Sequence, residues 1–145
     1  MLVAKLLVGV MAMFSVATTT PTFDPPVKEI NVCEQSVEKC ITKYFPEDPK
    51  LAIAVFKAES QLNPRSIGYN CRYGDKVTTC KVSDRALALT KDYGIAQINQ
   101  ANYQGNKEDL LDTETNLKVA RKVYDEQTWR AWYVYRDKKY VQYLD

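Results

Sequence analysis

The sequence DPKLAIAVFKAESQLNP, residues 48–64, decides the fold because it predicts a short apolar helix that ends at one carboxylate, Glu59. An Asp-Pro pair at its start is typical of a helix N-terminus, and the helix is expected to end near residue 60 or 61. Glu59 then shares a face with Val55 and Phe56. A charge on an apolar face costs several kcal/mol unless it is paired or its pKa rises. The stretch therefore predicts a carboxylic acid that can donate a proton near neutral pH.

Composition indicates one ordinary globular domain and excludes several chemistries. The 145 residues are 46% hydrophobic and 26% charged, which is enough apolar material for a core. The formal charge of +2 lacks the dense basic patch of a nucleic-acid-binding protein, so no nucleic acid partner is expected. The chain has no histidine, which excludes Ser-His-Asp and Cys-His catalysis and His-liganded metal sites. We expect neither a metal nor a cofactor.

The N-terminus indicates export. Residues 1–17 carry Lys5 before an apolar run and end in small residues, as in a signal peptide cleaved after Ala17. The run is shorter than the roughly 20 residues of a membrane span, although an uncleaved anchor is the alternative. Residues 18–30 are proline-rich and predicted to be a flexible leader, and residues 31–145 form the domain. After cleavage no stable membrane partner is expected.

Four cysteines, Cys33, Cys40, Cys71 and Cys80, predict two disulfides in an exported domain. Three pairings are possible, and the turn between Cys71 and Cys80 favours a local bridge there. Cys33 and Cys40, the remaining pair, would be roughly 10.5 Å apart in a continuous helix, beyond the reach of a disulfide. Either Cys33 precedes the helix, or the pairing is crossed.

The remaining pattern predicts a mostly helical α+β domain. A short amphipathic helix is expected from about residue 34 to 44. Residues 63–92 hold no long element, although residues 76–79 suit a hairpin strand. A capped helix begins near residue 112 or 113, and a last helical segment contains residues 129–135.

A second candidate for chemistry is Asp92, which opens the segment DYGIAQIN at residues 92–99. One carboxylate in an apolar surround and another in a polar loop is the arrangement that glycosidic cleavage requires. Two structural alternatives remain open. In the first, Glu59 only pairs with Arg65 or Lys57, or lies at a frayed helix end. In the second, Asp92 is an ordinary turn residue.

These motifs resemble those of known glycan-cleaving families. The segments ESQLNP (59–64) and IG (67–68) look like the Glu-Ser motif of lytic transglycosylases, including those of secretion systems and phage particles. DYGIAQIN (92–99) looks like the segment that bears the second catalytic aspartate of chicken-type lysozymes. Residues 116–123 and 129–132 are similar to the helices that close the core in both groups. The order of the four motifs is also the same.

The resemblance implies a lysozyme-like fold, in which a helical lobe and a small β-hairpin lobe flank a cleft. It implies cleavage of the β-1,4 bond between N-acetylmuramic acid and N-acetylglucosamine in peptidoglycan. Glu59 would be the general acid and then the base, while Gln97 and Asn99 would shape the cleft floor and meet the acetamido group. Tyr135 matches a tyrosine near the catalytic glutamate, but the usual Asn-Ala-Gly after it is replaced by RDK at residues 136–138.

Aromatic residues are further candidates for binding sugar. Tyr103, together with Tyr69 and Tyr73, lies in irregular segments that should border the cleft and is a candidate for stacking on a sugar face. The aromatic residues between 129 and 143 recur at spacings of three and four, which favours core packing. The predicted substrate-binding set is Gln97, Asn99, Tyr103 and Tyr135.

Two reactions compete for the same bond. A transglycosylase uses Glu59 alone and closes a 1,6-anhydro ring on muramic acid, whereas a hydrolase uses Glu59, Asp92 and water. We favour the transglycosylase. A glycan-binding virion or secretion component that does not cut is an alternative from another class, and a disulfide-stapled inhibitor or toxin has little support. The expected partners are peptidoglycan strands, with a virion or secretion assembly as a further candidate, and the expected location is secreted, periplasmic or virion-associated.

Overall fold

The computed structural model describes residues 31–144, so the predicted signal peptide and leader lie outside the described residues. Within this range the α-helices are α1 (Val32–Gln35), α2 (Val37–Tyr44), α3 (Pro49–Ser60), α4 (Thr113–Gln127) and α5 (Tyr133–Arg136). The 3₁₀ helices are Val82–Leu87, Gln100–Asn102, Lys107–Leu111, Thr128–Ala131 and Lys139–Tyr143. No helix of residues 31–144 is both long enough and apolar enough to cross a bilayer.

Helix α3 forms as its sequence predicts. The Asp48 side chain accepts a hydrogen bond from the backbone amide of Leu51 at 3.0 Å and so caps the N-terminus. The helix ends at Ser60 because Gln61 adopts the left-handed conformation, with φ of 57°. Its apolar face is buried and places α3 at the centre of the core, and the buried residues are Ala52, Ala54, Val55 and Phe56.

The N-terminal helix is interrupted, which corrects its predicted start near residue 34. Ser36 is extended and its hydroxyl oxygen accepts a hydrogen bond from the Lys39 amide, so a new helix begins at Val37. Cys33 therefore precedes α2 and reaches Cys40, with 4.4 Å between their Cα atoms. This was one of the two arrangements that the sequence left open.

The small lobe is a four-stranded antiparallel sheet in the order β2-β1-β3-β4. Its strands are β1 (Ile67–Tyr73), β2 (Lys76–Thr79), β3 (Thr90–Tyr93) and β4 (Ile98–Asn99). The disulfide between Cys71 and Cys80 closes the β1–β2 hairpin, as predicted. The predicted hairpin is present, but the small lobe contains two more strands than the hairpin alone. Residues 90–99, which include the segment DYGIAQIN, supply these two strands, β3 and β4.

The core of the helical lobe is aromatic. Phe45, Phe56, Trp129 and Trp132 are buried, and the ring centroids of Phe45 and Phe56 are 5.3 Å apart in an edge-to-face contact. The Trp132 indole donates a 2.8 Å hydrogen bond to the carbonyl of Ala96, which ties the C-terminal segment to the loop between β3 and β4. The predicted α+β, predominantly helical fold class is confirmed.

Candidate active site

A cleft of about 500 Å³ lies between the end of α3, one face of the sheet and the C-terminal segment. Four residues that the sequence singled out line it together: Glu59, Asp92, Gln97 and Asn99. Glu59 comes from the helical lobe, and the other three come from the segment DYGIAQIN. The cleft therefore brings the two motifs to opposite walls of one site.

Glu59 is positioned by the last turn of α3, where it follows the buried residues Val55 and Phe56. Burial is the main reason that its pKa rises from 4.5 to about 7, and the negative charge of Asp92 adds to the rise. The backbone amide of Val134 and the charge of Lys139 act in the opposite direction. Glu59 is thus partly protonated at neutral pH, as a general acid must be.

Asp92 is held by two side-chain amides. Asn70 donates to its Oδ2 and Asn99 donates to its Oδ1, both at 2.7 Å. The same two amides also contact the Thr90 hydroxyl, at 3.3 and 3.2 Å. Both carboxylate oxygens therefore accept hydrogen bonds, which fixes the orientation of Asp92 in the cleft.

This network follows from the register of the sheet. Asn70 of β1 pairs with Thr90 of β3, and Asp92 pairs with Gly68 on one side and Asn99 on the other. Residues that are paired across strands, or two apart along one strand, share a face. All five positions consequently lie on one face of the sheet, and four of them line the cleft, namely Gly68, Asn70, Asp92 and Asn99.

Gly68 makes room for Gln97. A Cβ atom at residue 68 would lie 2.7 Å from the Gln97 Oε1 atom, closer than a real contact allows. The Gln97 amide nitrogen donates to the carbonyl oxygens of Gly94, at 2.8 Å, and Ser66, at 3.3 Å. Gln97 therefore braces the loop with its nitrogen while it forms part of the cleft wall.

Asn116 supports the same loop from below. Its side chain is fully buried, accepts a hydrogen bond from the Ala96 amide at 2.9 Å, and donates to the carbonyls of Tyr93 and Leu110 at 2.8 Å each. Gly94 has φ of +71°, and a Cβ there would lie 2.4 Å from Asn116. The sharp turn and the buried amide thus depend on each other.

Tyr103 lies outside the lining of this cleft. It borders a neighbouring groove of about 330 Å³, which shares Asn102, Val123 and Gln127 with the cleft. Its ring lies against Gly105, and its hydroxyl makes a long 3.4 Å contact with Asp109. Tyr103 can therefore meet only a ligand that continues beyond the main cleft.

Tyr135 also lies elsewhere. Its ring stacks on that of Tyr140, with centroids 5.1 Å apart, and packs against the core. The neighbouring residues Tyr133 and Val134 line the cleft instead. The helical spacing that suggested core packing for the whole aromatic segment does not hold at Tyr133, which is 55% exposed.

The two other tyrosines that were considered for stacking have cationic or acidic neighbours. Tyr69 lines the cleft, but its ring lies near the cationic groups of Arg85 and Lys91, at 5.3 and 5.4 Å. Tyr73 donates its hydroxyl hydrogen to Asp84 on the small lobe and is not among the lining residues.

Sequence reasoning missed several lining residues, namely Asn70, Asn102, Gln127, Tyr133, Val134 and Lys139. Asn70 had a usable signal, because it lies two residues after Gly68 and must share its face in a strand. The C-terminal residues had none. Their positions depend on two short 3₁₀ segments that break the helical period.

Comparison with protein families gives one match that spans most of the described residues. The family model described as the transglycosylase SLT domain matches residues 38–131, which include Glu59, Asp92, Gln97 and Asn99. The chain belongs to the transglycosylase SLT domain family. A search of curated proteins and a search of solved structures gave no significant match.

Family membership confirms the enzyme class and the polymer. Members of the SLT domain family are peptidoglycan lytic transglycosylases, which are glycosidases. The two disulfides of this SLT domain fit a location outside the cytoplasm. The match ends at residue 131, so the C-terminal part of the cleft lies beyond it.

Proposed function

We propose that this SLT domain cleaves the β-1,4 bond between N-acetylmuramic acid and N-acetylglucosamine by intramolecular transglycosylation, with Glu59 as the catalytic residue. The observation that carries the proposal is a half-buried glutamate whose pKa is raised to about 7 at the wall of a glycan-sized cleft. Family membership supports the same reaction. The acid form needed for the first step is present at neutral pH.

The reaction uses one carboxyl group twice. Protonated Glu59 gives its proton to the glycosidic oxygen, and the bond from that oxygen to C1 of muramic acid breaks. The ionised Glu59 then accepts the proton of the 6-hydroxyl of muramic acid as this oxygen attacks C1. The products are a 1,6-anhydromuramic acid end and a free 4-hydroxyl on the departing glucosamine, and no water is consumed.

Asp92 has a supporting role in this scheme. Its carboxylate raises the pKa of Glu59 from across the cleft and so keeps the acid protonated. It also supplies negative charge near the sugar as C1 becomes positive. Asn99 and Asn70 fix its orientation. The amide nitrogen of Gln97 already donates to two backbone carbonyls, so we assign its Oε1 atom to contact with the acetamido N–H of the substrate. Asn99 already donates to Thr90 and Asp92 and accepts from the Ala101 amide, so only the second lone pair of its Oδ1 atom is assigned to the same group.

A hydrolytic muramidase is the second candidate, and the position of Asp92 favours it. A second carboxylate in the same cleft is what a two-carboxylate hydrolase requires. The two reactions give different products. Hydrolysis leaves a reducing muramic acid, whereas transglycosylation leaves the anhydro form, which is one water lighter.

Mass spectrometry of muropeptides, with the reaction run in ¹⁸O-labelled water, tests the proposal. We expect unlabelled anhydro ends from the wild-type domain and loss of product from Glu59→Gln. Glu108→Gln, an exposed glutamate outside the cleft lining, is the matched control and should retain activity. ¹⁸O at the new reducing ends would establish the hydrolase instead. Full activity of Glu59→Gln would overturn both mechanisms, whereas binding of glycan without any cleavage by the wild-type domain would favour a glycan-binding component.

The setting in which the SLT domain works is also a proposal. Its disulfides and the apolar sequence of residues 1–17 support export, followed by action on the cell wall. Association with a virion or a secretion system stays a prediction. Detection of the mature N-terminus by mass spectrometry in an extracytoplasmic fraction tests cleavage after Ala17.

A further inference from the structure

A cationic rim borders the cleft next to Glu59. It consists of Tyr133, Arg136, Asp137 and Lys139, which lie in and after α5. The Lys139 ammonium is 4.7 Å from the centroid of the Tyr133 ring, and the Arg136 guanidinium carbon is 5.8 Å from it. Tyr133 and Lys139 line the cleft. The rim therefore presents two cations and one carboxylate around an exposed aromatic ring.

Lys139 is available for a ligand. Its ammonium is 3.8 Å from the Asp137 carboxylate, and the two side chains are 54% and 39% exposed. An ion pair this long and this exposed contributes little. Among the described residues that line the cleft, Lys139 is the only cation. The Lys139 ammonium can therefore leave its weak ion pair with Asp137 and bind an anionic group of the substrate.

The rim lies outside the part of the chain that the family model matches. The family match ends at residue 131, and all four rim residues follow it. They occupy the segment in which RDK replaces the Asn-Ala-Gly of the transglycosylases that the sequence resembles. A difference in substrate contact is therefore expected here and not at Glu59.

The substrate offers one kind of charged group to such a rim. N-acetylglucosamine is neutral, whereas muramic acid carries a lactyl carboxyl that is either free or amide-linked to a stem peptide with carboxylates of its own. We propose that the cationic rim binds a carboxylate of the muramic acid substituent, with Lys139 as the main contact. This inference rests on the proposed function, because it names the part of that substrate which the cleft selects.

Binding to a non-cleaving variant tests the inference. In a Glu59→Gln background, affinity is measured for three oligosaccharides of equal length: chitotetraose, peptide-free glycan with lactyl carboxylates, and glycan with stem peptides. We expect Lys139→Gln to weaken binding of the carboxylate-bearing glycans about tenfold, as the loss of a charge-assisted contact implies. Binding of chitotetraose should stay unchanged. Lys138→Gln, an exposed neighbour outside the lining, is the matched control.

The three ligands separate the outcomes. A loss confined to the peptide-free glycan assigns the contact to the free lactyl carboxylate, and a loss confined to the peptide-bearing glycan assigns it to a carboxylate of the stem peptide. A loss for both charged glycans supports a rim that accepts a carboxylate at either position. An equal loss for chitotetraose, or no loss for any ligand, overturns the inference but leaves the proposed function intact. Failure of the Glu59→Gln protein to bind any of the three, with its folding verified by circular dichroism, overturns both.

Discussion

The Ser60 hydroxyl donates a 2.7 Å hydrogen bond to the carbonyl of Ile95, which joins the residue after Glu59 to the loop that carries Gln97. This bond links the end of α3 to the opposite wall of the cleft. Its removal should therefore displace Glu59 more than it unfolds the SLT domain.

Ser60→Ala should reduce kcat about tenfold and lower the free energy of unfolding by about 1–2 kcal/mol, the usual cost of one lost hydrogen bond. Turnover of soluble peptidoglycan fragments and urea unfolding measure the two effects. Ser83→Ala, which removes an exposed hydroxyl bound to Asp84, should change neither. Unaltered kcat in Ser60→Ala would show that this bond does not position Glu59.

Activity should fall at alkaline pH as Glu59 loses its proton. With its pKa raised to about 7, kcat/KM should decline above pH 7, by about tenfold per pH unit once Glu59 is mostly ionised. Asp92→Asn removes a negative charge that raises this pKa, so the midpoint of the decline should move to lower pH. Asp75→Asn, in the exposed hairpin turn, should leave the midpoint unchanged. An unmoved midpoint in Asp92→Asn would argue against electrostatic coupling of the two carboxyl groups.

Stability should also depend on the proton of Glu59. Its pKa is higher in the folded state, about 7, than the ordinary 4.5, so folding favours the protonated form. The stabilisation is complete below pH 4.5 and is lost as the pH rises through 7. Glutamine does not titrate, so the Glu59→Gln variant lacks this pH-dependent loss. The free energy of unfolding of the variant minus that of the wild type should therefore be about 2–3 kcal/mol more positive at pH 8 than at pH 4. Urea unfolding at both pH values measures this, and Glu108→Gln should show no comparable change.

The sequence was sufficient where a local rule acts. Caps at Asp48 and Asp112 located α3 and α4, and the apolar period of α3 placed Glu59 in the cleft wall. It was insufficient where distant segments meet. Asn70 reaches Asp92 only through the register of β1 with β3, and no local pattern encodes that register.

Tyr103 and Tyr135 of the predicted substrate-binding set are not among the residues that line the cleft, and the reason is of the same kind. Tyr135 lies in α5, which is a single turn between 3₁₀ segments, so the 3.6-residue period does not continue through it. Tyr133 consequently takes the exposed position at the cleft. Tyr103 lies on the far side of the shared residues Asn102 and Gln127, in the adjoining groove.

Asn116→Leu should destabilise the SLT domain strongly. It leaves one backbone amide and two backbone carbonyls without their buried partner, and each unsatisfied group costs about 1–3 kcal/mol. A loss of about 3–5 kcal/mol in the free energy of unfolding is expected. Asn63→Ala removes an exposed amide that accepts one bond from the Arg65 backbone and should cost less than about 1 kcal/mol. Similar losses in both variants would mean that Asn116 does not support the loop.

Gly68→Ala should impair catalysis with little effect on folding. The strand tolerates alanine, but the new methyl group would lie 2.7 Å from Gln97 Oε1, so Gln97 must leave its bonds to Gly94 and Ser66. We expect kcat/KM to fall at least tenfold while the free energy of unfolding changes by about 1 kcal/mol.

Gly74→Ala is the matched control for Gly68→Ala because it should affect stability and not catalysis. Gly74 has open space around it but φ of +62°, so alanine there should cost about 1 kcal/mol of stability and leave kcat/KM unchanged. If the displaced Gln97 is the cause of the catalytic loss, adding Gln97→Ala to Gly68→Ala should produce no further decrease, a non-additive result. A fully additive double variant would show that Gly68 acts on the cleft by another route.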